Sequence, residues 1–204
     1  MQTIHDVIQS RISANTYDAT RTLTDAEISA LVELATHAPS AFNAQNWRFV
    51  AIRTPEAKQR LLPLAYGQQK VVDAAVTFIV CGKLNTHTHI PTSLKPTVDA
   101  GILDQSIYEA WVNASTGMYE NNAQLQRDEA IRSGSLAAMT LMLAAKGKGL
   151  DSTPMIGFDG AAVAAEFGLD AEEIPVMLVT VGYASGDNWP RKPRKSASDV
   201  LEYV

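Results

Sequence analysis

The sequence predicts a layered fold of the α+β or α/β kind, with helices covering a small sheet. Three observations predict it. Apolar runs of strand length recur at residues 47–52, 74–81 and 175–181. Helix-periodic stretches, several of them long, alternate with these runs. The chain has 204 residues, 46% hydrophobic and 19% charged, enough for a substantial core in a single domain over 1–204.

Taken in order, Ile4, Val7 and Ile8 stand at helical spacing and predict a short helix ending near Arg11. Thr24 with Glu27 three residues on forms a capping box, each side chain satisfying an orphan backbone N–H. Ile28, Leu31, Val32 and Ala35 give the following helix one apolar face, and Pro39 stops it. Trp47 to Ile52 predicts a strand. Pro55, at the first helical position, opens a helix running toward Tyr66. The β-branched run at 74–81 predicts a strand buried on both faces. Residues 84–98, rich in Thr, His and Pro, predict an excursion or lid loop. Helices follow over about 100–119 and 128–148, the second closed by Gly149. Asp159 caps a short helix through Phe167, residues 175–181 form a third strand, and the tail from Trp189 is basic, then polar.

The helix around Leu136 to Ala145 is apolar on every face and must therefore be covered all round. A central core helix achieves that, and so does a partner subunit. Symmetric dimers being the commonest oligomers, the pattern points to a helix-mediated dimer.

Composition excludes several classes. Seventeen basic against 22 acidic residues give a net charge of −5, against a general electrostatic grip on nucleic acid. One cysteine forms no internal disulfide, which fits a reducing cytoplasm. The start, Met1 to Ser10, lacks the basic and apolar regions of a signal peptide, and no apolar run approaches the ~20 residues of a membrane span. The expectation is a cytoplasmic protein without nucleic-acid or membrane partners.

Motifs for independent catalysis are missing as well. There is no P-loop, no G-x-G-x-x-G, no G-x-S-x-G elbow and no H-E-x-x-H. His87 and His89 could share a strand face, but no Cys or carboxylate cluster accompanies them, so a surface-loop reading outweighs a metal site. Cys81 ends a buried strand and reads as a small core hydrophobe. A chain without reactive side chains of its own borrows a cofactor if it is an enzyme. One segment suits that role. Residues 38–47 pack a proline, a hydroxyl, three amides and an indole into ten positions. Read blandly, this is a helix–strand connection with Asx turns; read sharply, a set of neutral hydrogen-bonding groups for a polar heteroaromatic ring.

That segment, P-S-A-F-N-A-Q-N-W after a capped helix and before a strand, resembles the P-S-x-x-N-x-Q-P-W motif of the flavin-dependent nitroreductase family. R-I-S-A-N-T-Y-D (residues 11–18) is similar to the family's R-x-S-x-[RK]-x-[FY]-D element. Gly149-Leu150 and the P-M-I-G-F stretch at 154–158 resemble the segment that passes over the flavin, followed in register by the F-D-x-x-x-x-x-x-F-G-L helix. Lys192-Pro193-Arg194 matches the closing basic pair. Four such segments in order cover essentially the whole chain.

The resemblance implies an α+β fold, an intertwined homodimer, and FMN held non-covalently at its interface. By position, Arg11, Lys192 and Arg194 would hold the phosphate, with Ser13 beside them. A phosphate needs charge-assisted donors, and guanidinium binds it bidentately. Pro39, Ser40, Ala41 and Asn43 would reach the flavin from the second subunit. Gln68 and Lys70 would meet the pyrimidine edge, Lys70 placing positive charge near N1 and O2. Met155, Ile156 and Gly157 would lie across one ring face, with the Gly157 N–H toward N5.

Departures from the pattern bear on potential and substrate preference. Asn15 stands where the family usually has a cation, Gly67 where some members have asparagine, and Ile156 where several carry glutamate. Asn46 replaces the motif's proline, a change read as without functional consequence. The implied activity is transfer of two electrons from NADH or NADPH to nitroaromatic or quinone-type small molecules by a ping-pong cycle. No protein acid or base is required, since water supplies the second proton, and no catalytic residue or metal is named. The rivals are another flavin reaction at the same site (dehalogenation, enoate reduction, flavin cleavage) and a non-catalytic flavin-binding store or sensor.

Overall fold

The computed structural model describes residues 3–204; Met1 and Gln2, the start of the stretch read for a targeting signal, lie outside them. Four strands form one sheet in the order β1 (Trp47–Ile52), β2 (Val76–Lys83), β4 (Glu173–Gly182), β3 (Asp151–Met155), and every adjacent pair is antiparallel. With helices grouped on both faces of an antiparallel sheet, the fold is α+β.

Alternation along β2 builds two cores. Val76, Phe78 and Val80 face one side, where α2 (Asp25–Ala35) and the long α7 (Ala123–Gly147) supply Ile28, Leu31, Ala138 and Leu141. Ile79 and Cys81 face the other, against Leu61 of α3 (Pro55–Leu64), Val71 of α4 (Lys70–Asp73) and Val163 of α8 (Gly160–Glu166). The expected strand buried on both faces is therefore central. Gly82 brings the sheet against α7 so closely that a Cβ there would lie 2.2 Å from the Ala130 carbonyl oxygen. The expected caps are in place: Thr24 and Glu27 close the capping box of α2, and Asp159 accepts from Ala162 at the start of α8.

Four expectations need correction. Residues 84–98 are not a loop: α5 (Thr86–Asp99) runs through them with Pro91 and Pro96 inside. Proline removes an intrahelical bond and disfavours a helix interior, but Thr86, Ile90 and Leu94, four residues apart, are buried, and Ile90 and Leu94 pack with Tyr119 in a third core. The next helix, α6 (Gln105–Tyr119), starts later than residue 100, after a turn with Gly101 at φ +69°. α7 starts five residues earlier than expected, where Asn122 caps it by accepting from the Leu125 N–H. Finally, β3 is an additional strand. It contains Pro154, which donates no ladder N–H, and β3 is an edge strand, where a missing N–H is tolerated. The N-terminal helix α1 (Ile4–Ser10) is as expected.

The apolar helix is only partly covered. Leu136 and Met139 are 40% and 39% exposed and share an α7 face with half-buried Leu143. Among the described residues no helix is long and apolar enough to cross a membrane.

Candidate functional site

The strip from Arg11 to Tyr17 lies along the outer edge of β3. Ser13 bridges to Ser152, and Tyr17 donates or accepts at Thr153 and Thr180 across 3.2 and 2.9 Å. The basic tail folds back onto this strip. Arg191 donates to the carbonyls of Ile8 and Gln9, both at 2.8 Å, satisfying free carbonyls at the end of α1. Asn188 fastens the junction: its Oδ1 accepts from the Asn15 and Thr16 N–H groups, and its Nδ2 donates to Thr16 and Ser185 carbonyls.

Between strip and tail is a cavity of about 90 Å³ lined by Arg11, Ser13, Asn15, Arg191, Lys192 and Arg194. Four of these six are cationic. None of them, nor Lys70, forms an ion pair with a carboxylate among the described residues. Burial pushes the Arg11 guanidinium below its usual range, and Arg191 and Arg194 push it further. Burial likewise lowers the Lys70 ammonium, with Lys192 adding to the effect. A cluster of mutually repelling cations in an acidic chain fits a bound anion such as a phosphate.

The polar lining continues from there. Lys70 donates to Asn15 Oδ1 at 3.1 Å, so the amide that stands in a cationic position contacts the remaining lysine. Gln68 donates from Nε2 to the Gly157 carbonyl at 2.8 Å and to Ala65 at 3.1 Å. This leaves Oε1 as the end a ligand N–H would meet. Ile156 is 84% exposed beside them. Met155 turns its side chain into the core with Leu178 and Val163, so only its backbone is available to a ring, and the expected ring cover falls to Ile156 and Gly157.

Ten of the fourteen expected site residues thus gather at the β3 edge: Arg11, Ser13, Asn15, Gln68, Lys70, Met155, Ile156, Gly157, Lys192 and Arg194. Pro39, Ser40, Ala41 and Asn43 do not join them. They precede β1, at the opposite edge of the sheet, across three strand spacings or about 14 Å. There the chain turns sharply. Phe42, Asn43 and Gln45 all have positive φ, 52°, 54° and 49°, a conformation unfavourable for residues with a Cβ. Ser40 Oγ accepts from the Gln45 N–H at 2.9 Å. Asn46 is fully buried and donates to the Lys83 carbonyl and Thr86 hydroxyl, so it ties β1 to β2 and α5 where a proline would donate nothing.

Other sequence candidates resolve simply. His87 and His89 lie two apart on α5, which aims them in different directions instead of along one strand face. Burial raises the Cys81 thiol to about 12, in keeping with an unreactive core residue. Asn188 and Trp189 were not expected at the site. Arg191 is legible as part of the basic run, whereas Asn188 in G-D-N-W reads as an ordinary turn residue.

The model of the nitroreductase family matches residues 8–183. The chain belongs to the nitroreductase family. Family relatives include MhqN of Bacillus subtilis, provisionally named an NAD(P)H nitroreductase, 34% identical over 200 residues and 97% of each chain. The protein DrgA of Synechocystis is 35% identical over 192 residues, 94% of this chain and 89% of its own. Among solved nitroreductase structures, a provisionally assigned member from Exiguobacterium sibiricum in complex with FMN superposes with a TM-score of 0.92, at 29% identity, covering 100% and 98% of the two chains. The family is one of oxidoreductases, and the chain is an enzyme of that kind.

Proposed function

We propose that the protein is an FMN-dependent NAD(P)H oxidoreductase that passes two electrons to nitroaromatic or quinone-type acceptors by a ping-pong cycle, as a single domain and a homodimer. The observation that carries this reading is the unpaired cation cluster of Arg11, Arg191, Lys192 and Arg194, continuous through Lys70 with the polar edge at Gln68 and Gly157. The FMN complex of the Exiguobacterium relative and the NAD(P)H nitroreductase names of others support the choice of cofactor and reductant.

Bound FMN would supply the hydride chemistry, taking electrons from the nicotinamide and giving them to the acceptor. The chain's residues hold and bias it. Arg11, Lys192 and Arg194 neutralise the phosphate, with Ser13 adding a hydroxyl. Lys70, oriented by Asn15, sets positive charge at the pyrimidine edge, where reduction accumulates negative charge. Gln68 Oε1 and the Gly157 N–H offer one acceptor and one donor along the ring, and exposed Ile156 gives the neighbouring surface an apolar character suited to flat aromatic acceptors.

The opposite-edge position of Pro39, Ser40, Ala41 and Asn43 supports a dimer-shared site. A second copy would bring its own strained turn to the flavin held at the β3 edge, and the exposed Leu136 and Met139 of α7 provide apolar surface for that copy.

The test is a titration. The purified protein should bind FMN and absorb near ~450 nm, a property of the cofactor itself. It should bleach with NADH or NADPH under anaerobic conditions and recover its colour on addition of a nitroaromatic or a quinone. A coloured protein that neither nicotinamide reduces would leave a flavin-binding protein without turnover, and a chain with no affinity for FMN would remove the reading altogether.

A further inference from the structure

The third core holds a polar chain that flavin binding does not itself require. Glu129 on α7 is buried, its side chain only 3% exposed, although an isolated carboxylate there would be strongly disfavoured. Three groups satisfy it. Ser133 Oγ donates to Oε1 at 2.9 Å, the half-exposed Arg132 guanidinium pairs with Oε2, and the buried Tyr119 hydroxyl donates to Oε2 at 3.4 Å. Burial, then the Glu129 charge, raises the Tyr119 phenol to about 12, so it remains a donor at neutral pH. Tyr119 is the last residue of α6, and Gln126 also fastens it by donating to its carbonyl at 2.8 Å.

The other face of Tyr119 meets the strained turn. Phe42 stands edge-on to the Tyr119 ring, with centroids 6.5 Å apart and planes at 84°, and edge-on to Trp111 at 6.0 Å and 78°. Phe42 is held at φ 52° between Ala41 and Asn43. A left-handed turn of residues with Cβ atoms persists only where surrounding packing over-determines it. Edge-to-face aromatic pairs are directional, so fixing the Tyr119 ring fixes where Phe42 rests.

We propose that Glu129 and Tyr119 are positioning residues for the flavin: the carboxylate anchors the phenol, the phenol ring seats Phe42, and the seated Phe42 holds Ser40, Ala41 and Asn43 in the geometry that meets the ring of FMN. This rests on the flavin reading above. It adds residues that contact neither cofactor nor substrate and lie one and two layers behind the turn. Arg132 carries the chain outward to the same α7 side as Leu136 and Met139, so the buried carboxylate also connects the turn to the face offered to a second copy.

The turn meets the ring and the cation cluster meets the phosphate, so the two layers have separable signatures. Tyr119→Phe removes one hydroxyl and keeps the aromatic packing. At 3.4 Å this hydrogen bond is long for a hydroxyl donor, so its loss corresponds to the low end of the net range, about two- to threefold in an equilibrium constant. The affinities of FMN and riboflavin, measured by fluorescence quenching per folded protein, should both fall by that factor in Tyr119→Phe. Glu129→Gln, the second variant should the first fail to fold, should lower both in the same way, and to a smaller extent than Glu129→Ala because the amide oxygen still accepts. Unchanged affinities for both flavins alongside a lower melting temperature would overturn the inference, since a purely structural anchor behaves so. A loss confined to FMN would overturn it too, by placing the effect at the phosphate. A wild-type chain that binds neither flavin would overturn the flavin reading and this inference together, whereas wild-type binding with unaltered variants overturns this inference alone.

Discussion

Replacing Arg11 by methionine separates the phosphate site from every other function of the strip. Methionine preserves most of the apolar stem, which is half-buried, and removes only the guanidinium. The guanidinium forms no ion pair and stands against Arg191 and Arg194, each a stronger influence on it than the opposing Asp151 charge, so in the free protein its removal relieves repulsion. With FMN bound, the same change removes a charge-assisted hydrogen bond, about 1.5–3 kcal/mol. The FMN dissociation constant should therefore rise roughly tenfold to a hundredfold or more. Riboflavin, lacking the phosphate, should bind as before. Because ligand stabilisation follows the logarithm of saturation, the melting temperature in excess FMN should fall by the same free energy. For a chain of this size that is roughly 3–12 °C. The flavin-free protein should hold its melting temperature or gain slightly. The assay is differential scanning fluorimetry with and without FMN, paired with quenching titrations of both flavins. An equal loss of riboflavin and FMN affinity, or a flavin-free protein destabilised as much as the loaded one, would refute the phosphate assignment.

Three other outcomes follow from the same geometry. Met139→Glu places a charge on the exposed apolar face of α7, and sedimentation should show a monomer with weakened FMN binding; a dimer of wild-type affinity would exclude that face from the interface. Gly82→Ala forces a Cβ to within 2.2 Å of the Ala130 carbonyl, an overpacking at the upper end of about 1–3 kcal/mol, so the melting temperature should drop by roughly 6–12 °C; an unchanged value contradicts the close approach. Lys70, lowered from its ordinary 10.5 first by burial and then by Lys192, binds its proton less readily folded than unfolded, so flavin-free stability gains a contribution as pH rises toward 10.5 and loses it as pH falls through the lowered value. Lys58 is lowered by burial as well, and Cys81 and Tyr119 are raised, so the difference between wild type and Lys70→Met carries the signal. Denaturant unfolding should show wild type gaining stability relative to the variant as pH rises toward 10.5, and a pH-independent difference would refute it.

Elements whose cause is local were readable from the chain itself. The capping box at Thr24 and Glu27, the Asp159 cap, Pro55 at a helix start and the doubly buried run of β2 each depend on residues within a few positions of one another. So did the candidate flavin contacts, because the motifs carrying them are contiguous. Local signals failed where tertiary contacts opposed them. Two prolines spoke against α5, and burial of Ile90 and Leu94 against Tyr119 prevailed. The five-residue β3 was not readable from the chain at all; its pairing with β4 forms it, and its edge position makes the missing Pro154 N–H harmless.

Residue identity alone therefore determined that the fold is a layered sheet-and-helix one, its caps, its central strand and the chemistry of its cation-rich tail, all properties of short-range sequence. The antiparallel pairing that makes it α+β is tertiary. Tertiary structure decided which of those residues meet. It folded the tail onto the Arg11 strip through Asn188 and Arg191. It set Lys70 against Asn15 across 55 residues. It also put the strained turn at Phe42 on the far edge of the sheet, against Tyr119. Strand order and helix packing set these meetings, through contacts between residues far apart in the chain that no local periodicity records.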